Sequence, residues 1–263
     1  MHVGIMGGIM IEVVAHSDAG IVKKTNQDSL SIKVLDTNRG PCYFGILCDG
    51  MGGLSQGELA STTCVRAFMN WFEVHYEDVL LNPDCFEMLH KQWEDLIQGL
   101  NAKIMQYGRE NNISLGTTLL ALLIANNRYY IVNVGDCRAY RIKNQVVQIT
   151  RDHSVVGREV EQGLLTKEEA EKDSRRNILL QCVGASKVVV PDYFWGKVEE
   201  NDAFLLCSDG FRHVLSEVEI AYALSAEHFE GIQKNQQKLV DCIELIKKRG
   251  ERDNITACVA YCR

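Results

Sequence analysis

Residues 42–61 read CYFGILCDGMGGLSQGELAS. Tyr43 to Cys48 is an apolar run with the aromatic and branched side chains of a strand. Asp49-Gly50 ends it: Gly50 lets the backbone turn so that its own carbonyl can face a cation, and Ser55 to Glu58 opens a helix. A nucleotide P-loop, the rival for such a Gly-rich junction, needs Gly-Lys-Ser/Thr, whereas Gly57 is followed by Glu58. A single Asp-Gly at a strand end is ordinarily a turn. Three more aspartates stand in comparable places, Asp136 in YYIVNVGDCRAY, Asp209 in AFLLCSDGF and Asp253 in RDNITACVAY. A sandwich that gathers these strand ends brings the four carboxylates close together, where like charges repel unless something neutralises them. Carboxylates, carbonyls and water suit a hard divalent ion, Mg²⁺ or Mn²⁺, better than zinc or copper. The chain therefore reads as a metal-dependent hydrolase.

Outward from this junction, strands are predicted at about Ile9–Ala15, Leu30–Leu35, Leu115–Ala125, Tyr129–Val134, Arg138–Ile142, Val146–Ile149, Val188–Trp195, Ala203–Cys207 and Ile255–Tyr261. Helical periodicity covers Glu58–His75, Cys85–Asn111, Glu217–Leu224 and Gly231–Lys248. Helices grouped between grouped strands point to antiparallel sheets stacked centrally with helices outside, an α+β fold rather than a βαβ parallel sheet.

Composition narrows the function. The 263 residues carry only 3 Pro, with no linker-like or repetitive tract, so residues 1–263 read as a single domain. A net charge of −7, with Lys and Arg interspersed among Asp and Glu, argues against a nucleic-acid partner. The 10 Cys show neither C-x-x-C nor zinc spacing, and several lie in strand runs. Free buried thiols in a reducing compartment are expected, rather than disulfides. The N-terminal MHVGIMGGIMIEVVAHSD lacks a basic residue before its apolar part and is broken by Gly7, Gly8 and Glu12, so export is not expected. Met10 is an alternative start, with Met1 to Ile9 an overhang. No run reaches the length of a membrane span, and a cytoplasmic protein without membrane contact is expected.

The ordered series of motifs resembles the metal-dependent serine/threonine protein phosphatases of type 2C in their compact bacterial form, from about Val13 to Tyr261. Ser17-Asp18-Ala19-Gly20 with Asn26-Gln27-Asp28 is similar to the family's first motif, and Leu47 to Gly53 with Gly57-Glu58-Leu59-Ala60-Ser61 to its second. Gly116-Thr117-Thr118, Val134 to Tyr140, Thr150-Arg151-Asp152-His153-Ser154, Ser208-Asp209-Gly210 and Asp253-Asn254 follow in the family's order. The resemblance implies a four-layer α-β-β-α sandwich of two antiparallel sheets flanked by helices, with a flap at about residues 154–190. It implies that Asp49 bridges two Mn²⁺ or Mg²⁺ ions, that the Gly50 carbonyl binds one, and that Asp209 and Asp253 hold the other. By the same resemblance Asp136 would join Asp209 at a third, weaker ion. Asp28 would act from the outer shell through coordinated water, and Asn254 would support the cluster. The implied reaction is hydrolysis of phosphoserine and phosphothreonine by direct attack of activated water, on phosphoproteins made by a partner Ser/Thr kinase.

Two positions depart from the family pattern. Lys23 stands where a phosphate-binding Arg is usual; it can neutralise a phosphate but cannot make the bidentate fork, and Lys23 and Lys24 could equally be solvated surface residues. Gln27 replaces an acidic residue and can still orient coordinated water. These departures keep a second reading open, a catalytically weak relative that binds phosphoproteins as a regulatory module. His153 near a turn reads as structural before catalytic, and Cys48 and Cys207 as core thiols, since neither has a phosphate-binding loop ending in Arg. The charged stretch Val156 to Asp173 reads as the flap or as an ordinary amphipathic surface helix.

Overall fold

The computed structural model describes residues 9–51, 56–82, 84–143 and 145–263. The expected overhang up to Gly8, and Gly52, Gly53 and Ser55 of the Gly-rich junction, lie outside the described residues. In chain order come β1 (Ile11–Asp18), β2 (Asp28–Thr37), β3 (Gly40–Asp49), α1 (Gly57–Leu81), α2 (Phe86–Asn111), β4 (Leu119–Ala125), β5 (Arg128–Val134), β6 (Arg138–Ile142) and β7 (Val146–Gln148). They are followed by α3 (Val155–Glu161), α4 (Lys167–Lys172), β8 (Asp192–Lys197), β9 (Asp202–Cys207), α5 (Asp209–Arg212), α6 (Glu217–Leu224), α7 (Ile232–Lys248) and β10 (Ile255–Cys262). The strands form two five-stranded sheets, ordered β1-β10-β9-β6-β7 and β2-β3-β4-β5-β8. Every neighbouring pair is antiparallel.

Side-chain alternation divides the interior into three apolar layers. On β3, Phe44, Ile46 and Cys48 pack with Phe68, Phe72 and Trp93 of α1 and α2. The intervening Tyr43 and Leu47 pack between the sheets with Leu120, Leu122, Phe204 and Leu206. On β10, Ile255, Ala257, Val259 and Tyr261 meet Leu239, Ile243 and Ile246 of α7, while Cys258 and Ala260 join the layer between the sheets. Helices, two sheets and helices thus stack as the four layers expected. Both faces of the central strands are covered, which is why LLALLIA of β4 is apolar without alternation although its neighbours run antiparallel.

Three predicted boundaries differ from those observed by about four residues or more. The first helix runs on to Leu81 because Val79 and Leu80 are buried against the core, and Asn82 caps it by donating from Nδ2 to the Asp78 carbonyl at 2.8 Å. The strand predicted from Leu115 pairs as a ladder only from Leu119, since Thr117 makes isolated bridges to Gly50 and Val183. The run beginning at Val188 becomes β8 only at Asp192. Pro191 has no N–H to give a ladder, and the Gln181 side chain takes up both backbone groups of Val190, each at 2.8 Å. The charged stretch 156–173 holds two short helices, α3 and α4. Ser154 caps the first; Gly163, at φ +70, lies between them; and a Thr166/Glu169 capping box starts the second.

Candidate active site

Strand register brings the aspartates to one edge. Asp28, the first residue of β2, is the direct cross-strand partner of Asp49, the last of β3. Asp209 follows the end of β9, and Asp253 precedes β10, the strand paired with β9. Asp136 follows β5. Asp49, Asp136, Asp209 and Asp253 line one cleft of ≈ 930 Å³ with Lys23, Met51 and Thr118, and residues drawn from the segment between Asn177 and Val188, among them Gln181 and Lys187, also line it. Asp28 lies behind Asp49 and is not among the residues lining that cleft.

The backbone around Asp49 is tightly fixed. Its N–H donates to Thr118 Oγ1 at 2.8 Å, and its carbonyl accepts from Thr117 Oγ1 and from the Thr118 N–H, both at 2.9 Å. The Gly50 N–H donates to the Gln27 carbonyl at 3.1 Å. Gly50 is required here by crowding: a β-carbon would overlap the backbone of Gly57 and Gln27. Asn254 ties the first motif to β10, accepting from the Gln27 N–H at 2.9 Å and donating to the carbonyls of Ala19 at 3.0 Å and Thr25 at 3.1 Å. The Gln27 side chain donates to Glu58 Oε2 at 3.2 Å, at the start of α1.

The cluster is electrostatically strained. Burial, then the charges of Asp209 and Asp253, push Asp28 up to about 7; hydroxyls of Thr256 and Ser208 oppose this only in part. Burial followed by Asp28, Asp209 and Asp136 holds Asp49 well above the carboxylate range. Burial and Asp209 push Asp136 up to about 7 against the pull of Arg212. Both Asp28 oxygens and Asp209 Oδ1 are enclosed without a hydrogen bond of normal geometry among the described residues. Buried acceptors without donors are costly, and oxygen-only acceptors gathered this closely fit a hard divalent ion. In the side-chain arrangement seen, no three metal-ligating side chains among the described residues close on a single point. One oxygen of the set, Asp253 Oδ1, is taken by Lys23 Nζ at 2.9 Å. Burial opposes the lysine's charge, but Asp253, with Asp49 and Asp209 behind it, raises Lys23 above its ordinary value.

Other singled-out residues sit apart from the chemistry. Lys24 is exposed. His153 accepts at Nδ1 from the Gly135 N–H at 3.2 Å, with Nε2 3.3 Å from Asp192, and so braces the entry to the 154–190 segment. All ten cysteines are free and buried. Burial drives Cys48 well above the thiol range and Cys207 up to about 12, which disfavours either as a nucleophile.

Sequence reasoning missed the basic side chains under the cluster. His213, on the turn after Asp209, stands 3.6 Å from Asp209 Oδ2 and 3.3 Å from Glu251 Oε2. Glu251 also accepts from the N–H groups of Arg252 at 2.7 Å and Asp253 at 3.0 Å. Burial would raise this acid, but His213 and the two N–H groups bring it down to about 2. Arg212 reaches Asp136, and Arg138 grips Asp152. The available signal was position: Arg212-His213 comes one helical turn after a strand-end aspartate, next to buried Phe211 and shortly before buried Leu215, where a solvated face is not expected.

Comparison with known proteins agrees with this geometry. The protein phosphatase 2C family model matches residues 16–244. The serine/threonine phosphatase stp of Listeria innocua is 32% identical over 250 residues, covering 91% of both chains. PstP of Mycobacterium tuberculosis is 31% identical over 258 residues, 96% of this chain and 45% of that longer protein. Among solved structures, the Staphylococcus aureus serine/threonine phosphatase Stp1 superposes with a TM-score of 0.80 at 29% identity, covering 99% of this chain and 98% of that one. The catalytic domain of PstP in complex with two manganese ions gives 0.72 at 28% identity, covering 97% and 99%. The chain belongs to the protein phosphatase 2C family.

Proposed function

We propose that this chain is a metal-dependent phosphoprotein phosphatase acting on phosphoserine and phosphothreonine, with residues 1–263 as one catalytic domain. The observation that carries the reading is the gathering of Asp28 and Asp49 from one sheet with Asp209 and Asp253 from the other at one end of the sandwich, with buried oxygens that lack a hydrogen bond of normal geometry among the described residues, beside a cleft that holds Lys23. Asp49, the Gly50 carbonyl, Asp209 and Asp253 would hold two Mn²⁺ or Mg²⁺ ions, and Asp136 with Asp209 a third, weaker one. Bound there, the ions supply a nucleophile from water at neutral pH and clamp phosphoryl oxygens.

The protein's own groups divide the remaining work. Thr117 and Thr118 fix the Asp49 backbone, so its carboxylate is positioned before substrate arrives. Asp28 and Asn254 stand behind the ligands, Asp28 as an acceptor that orients water and Asn254 as the brace between the first motif and β10. Lys23 leaves Asp253 to neutralise the substrate phosphate as a point charge. The 154–190 segment serves as the flap beside the cleft. Free thiols throughout support a reducing, cytoplasmic setting, and the substrates are those of a Ser/Thr kinase. The weaker reading, a phosphoprotein-binding relative without turnover, is not favoured, because the full carboxylate set converges.

Hydrolysis of phosphothreonine, phosphoserine and phosphotyrosine peptides, with and without Mn²⁺ and with Asp209→Asn as control, tests the reading. Turnover should vanish in EDTA and return with Mn²⁺ or Mg²⁺. Full activity in chelator, or loss of activity in Cys48→Ser with ion binding intact, would overturn it.

A further inference from the structure

Asp136 and Asp209 both face the cleft, and Asp209 is the largest charge acting on Asp136. Two carboxylates so placed invite a divalent cation, yet Asp136 already has a cation beside it. Arg212 Nη2 lies 3.7 Å from Asp136 Oδ2, 3.4 Å from the Asp136 carbonyl and 3.5 Å from Asp152 Oδ2. Its side chain is only 9% exposed, and its Nε has no hydrogen-bond partner among the described residues. Burial would raise Asp152, but it draws on two guanidinium charges, Arg212 and Arg138, which together hold it below its ordinary value. Arg138 holds it through Nη2–Oδ2 at 2.7 Å and Nε–Oδ1 at 2.9 Å. With Arg138 clamped on Asp152, Arg212 stands between the two acids and divides its charge between Asp152 and Asp136.

The contrast in distances matters. Arg138 makes a short two-pronged clamp, whereas Arg212 touches its acceptors only at 3.4 to 3.7 Å with one donor unused. Such a guanidinium is held loosely. It also borders a cavity of ≈ 280 Å³ lined by Val156, Ala170 and Gln148, so space lies next to it if an ion displaces it from Asp136. We propose that Arg212 is the built-in counter-ion of Asp136 and keeps the affinity of the Asp136–Asp209 position for a third divalent ion low, guanidinium and ion competing for one carboxylate. Arg212 acts through Asp136 and is a positioning residue. This rests on the two-ion reading above and deepens it.

The test is Mn²⁺ binding followed by calorimetry and by the paramagnetic resonance signal of free Mn²⁺, on the full chain. Wild type should take two ions tightly and a third only weakly. Arg212→Met should bind the third ion at least roughly tenfold more tightly, since a unit charge at about 4 Å and an effective dielectric near 20 is worth several RT. Arg212→Lys should restore weak binding, and Arg212→Met combined with Asp136→Asn should lose the gain. Unchanged third-ion affinity in Arg212→Met, or equal tightening in Arg212→Lys, overturns the proposal. If Arg212→Met gives no cooperative melt, Arg212→Gln replaces it. A third ion bound by wild type as tightly as the first two also overturns the proposal, with no variant needed. Absence of the two tight ions in wild type would instead remove the functional reading on which it rests.

Discussion

Neutralising Asp28 should stabilise the ion-free protein while weakening the ion-bound one. Its carboxyl rises from the ordinary 3.8 to about 7, through burial and then the charges of Asp209 and Asp253. The direction fixes the pH dependence. A carboxylate whose folded value is raised binds its proton more tightly when folded, so stability is fully present below about 4 and is lost as pH climbs towards 7. At about 1.4 kcal/mol per unit, the rise from 3.8 to about 7 corresponds to roughly 4 kcal/mol lost by pH 8 without ions. The carboxylates share this strain, so Asp28→Asn should recover part of it, roughly 2–4 kcal/mol, or about 4–12 °C in melting temperature for a domain this size. Melting in EDTA at pH 8 and at pH 4.5 measures the effect, with the same melts in Mn²⁺ alongside. The variant should melt higher at pH 8 in EDTA, the gap should narrow on acidification, and added Mn²⁺ should raise wild type more than the variant. A variant less stable than wild type at pH 8 in EDTA, or a gap that does not change with pH, would refute the reasoning.

Three further perturbations address other parts of the molecule. Lys23→Ala should raise KM for phosphopeptides several-fold while ion affinity stays or rises, because Asp253 Oδ1 is released, and Lys23→Arg should keep activity; unaltered steady-state kinetics in Lys23→Ala would leave the lysine only as the partner of Asp253. Gly50→Ala should cost about 1–3 kcal/mol by overpacking and weaken Mn²⁺ binding, since the added carbon meets the backbone of Gly57 and Gln27; calorimetry showing wild-type affinity would contradict this. Phe44→Ala should cost about 3–5 kcal/mol in urea unfolding, because its ring stacks on Phe72 at 4.9 Å and adjoins Trp71 and Trp93; a loss below about 1 kcal/mol would mean that the helix layer closes over the gap.

Much of this architecture is written in the local sequence pattern. Strand runs ending in Asp49, Asp136 and Asp209 are legible because both faces of central strands are buried, leaving apolar blocks that stop abruptly at a turn residue. What escaped depends on side chains bonding outside the local pattern. Val188–Val190 has strand composition but pairs with no strand among the described residues, because Gln181 satisfies Val190 and Pro191 follows. Gln27 looks like a member of the cluster by position, yet its amide bonds Glu58 across the loop.

The least legible part is the charge balance beneath the cluster. Arg138 and Asp152 stand 14 residues apart and meet only because β6 and the turn after β7 fold together. Arg212 and His213 look like the solvated end of a short helix until the strand ends close over them. Five carboxylates at one edge could be tolerated without ions only if some charge were returned from inside the protein. Arg212 returns it between Asp136 and Asp152, and His213 stands between Asp209 and Glu251, while both Asp28 oxygens and Asp209 Oδ1 lack a hydrogen bond of normal geometry among the described residues. Strain is therefore concentrated on the β2–β3 and β9–β10 side of the cleft, where the two tight ions are proposed. On the Asp136 side Arg212 opposes part of it, and there the third ion is expected to be weak.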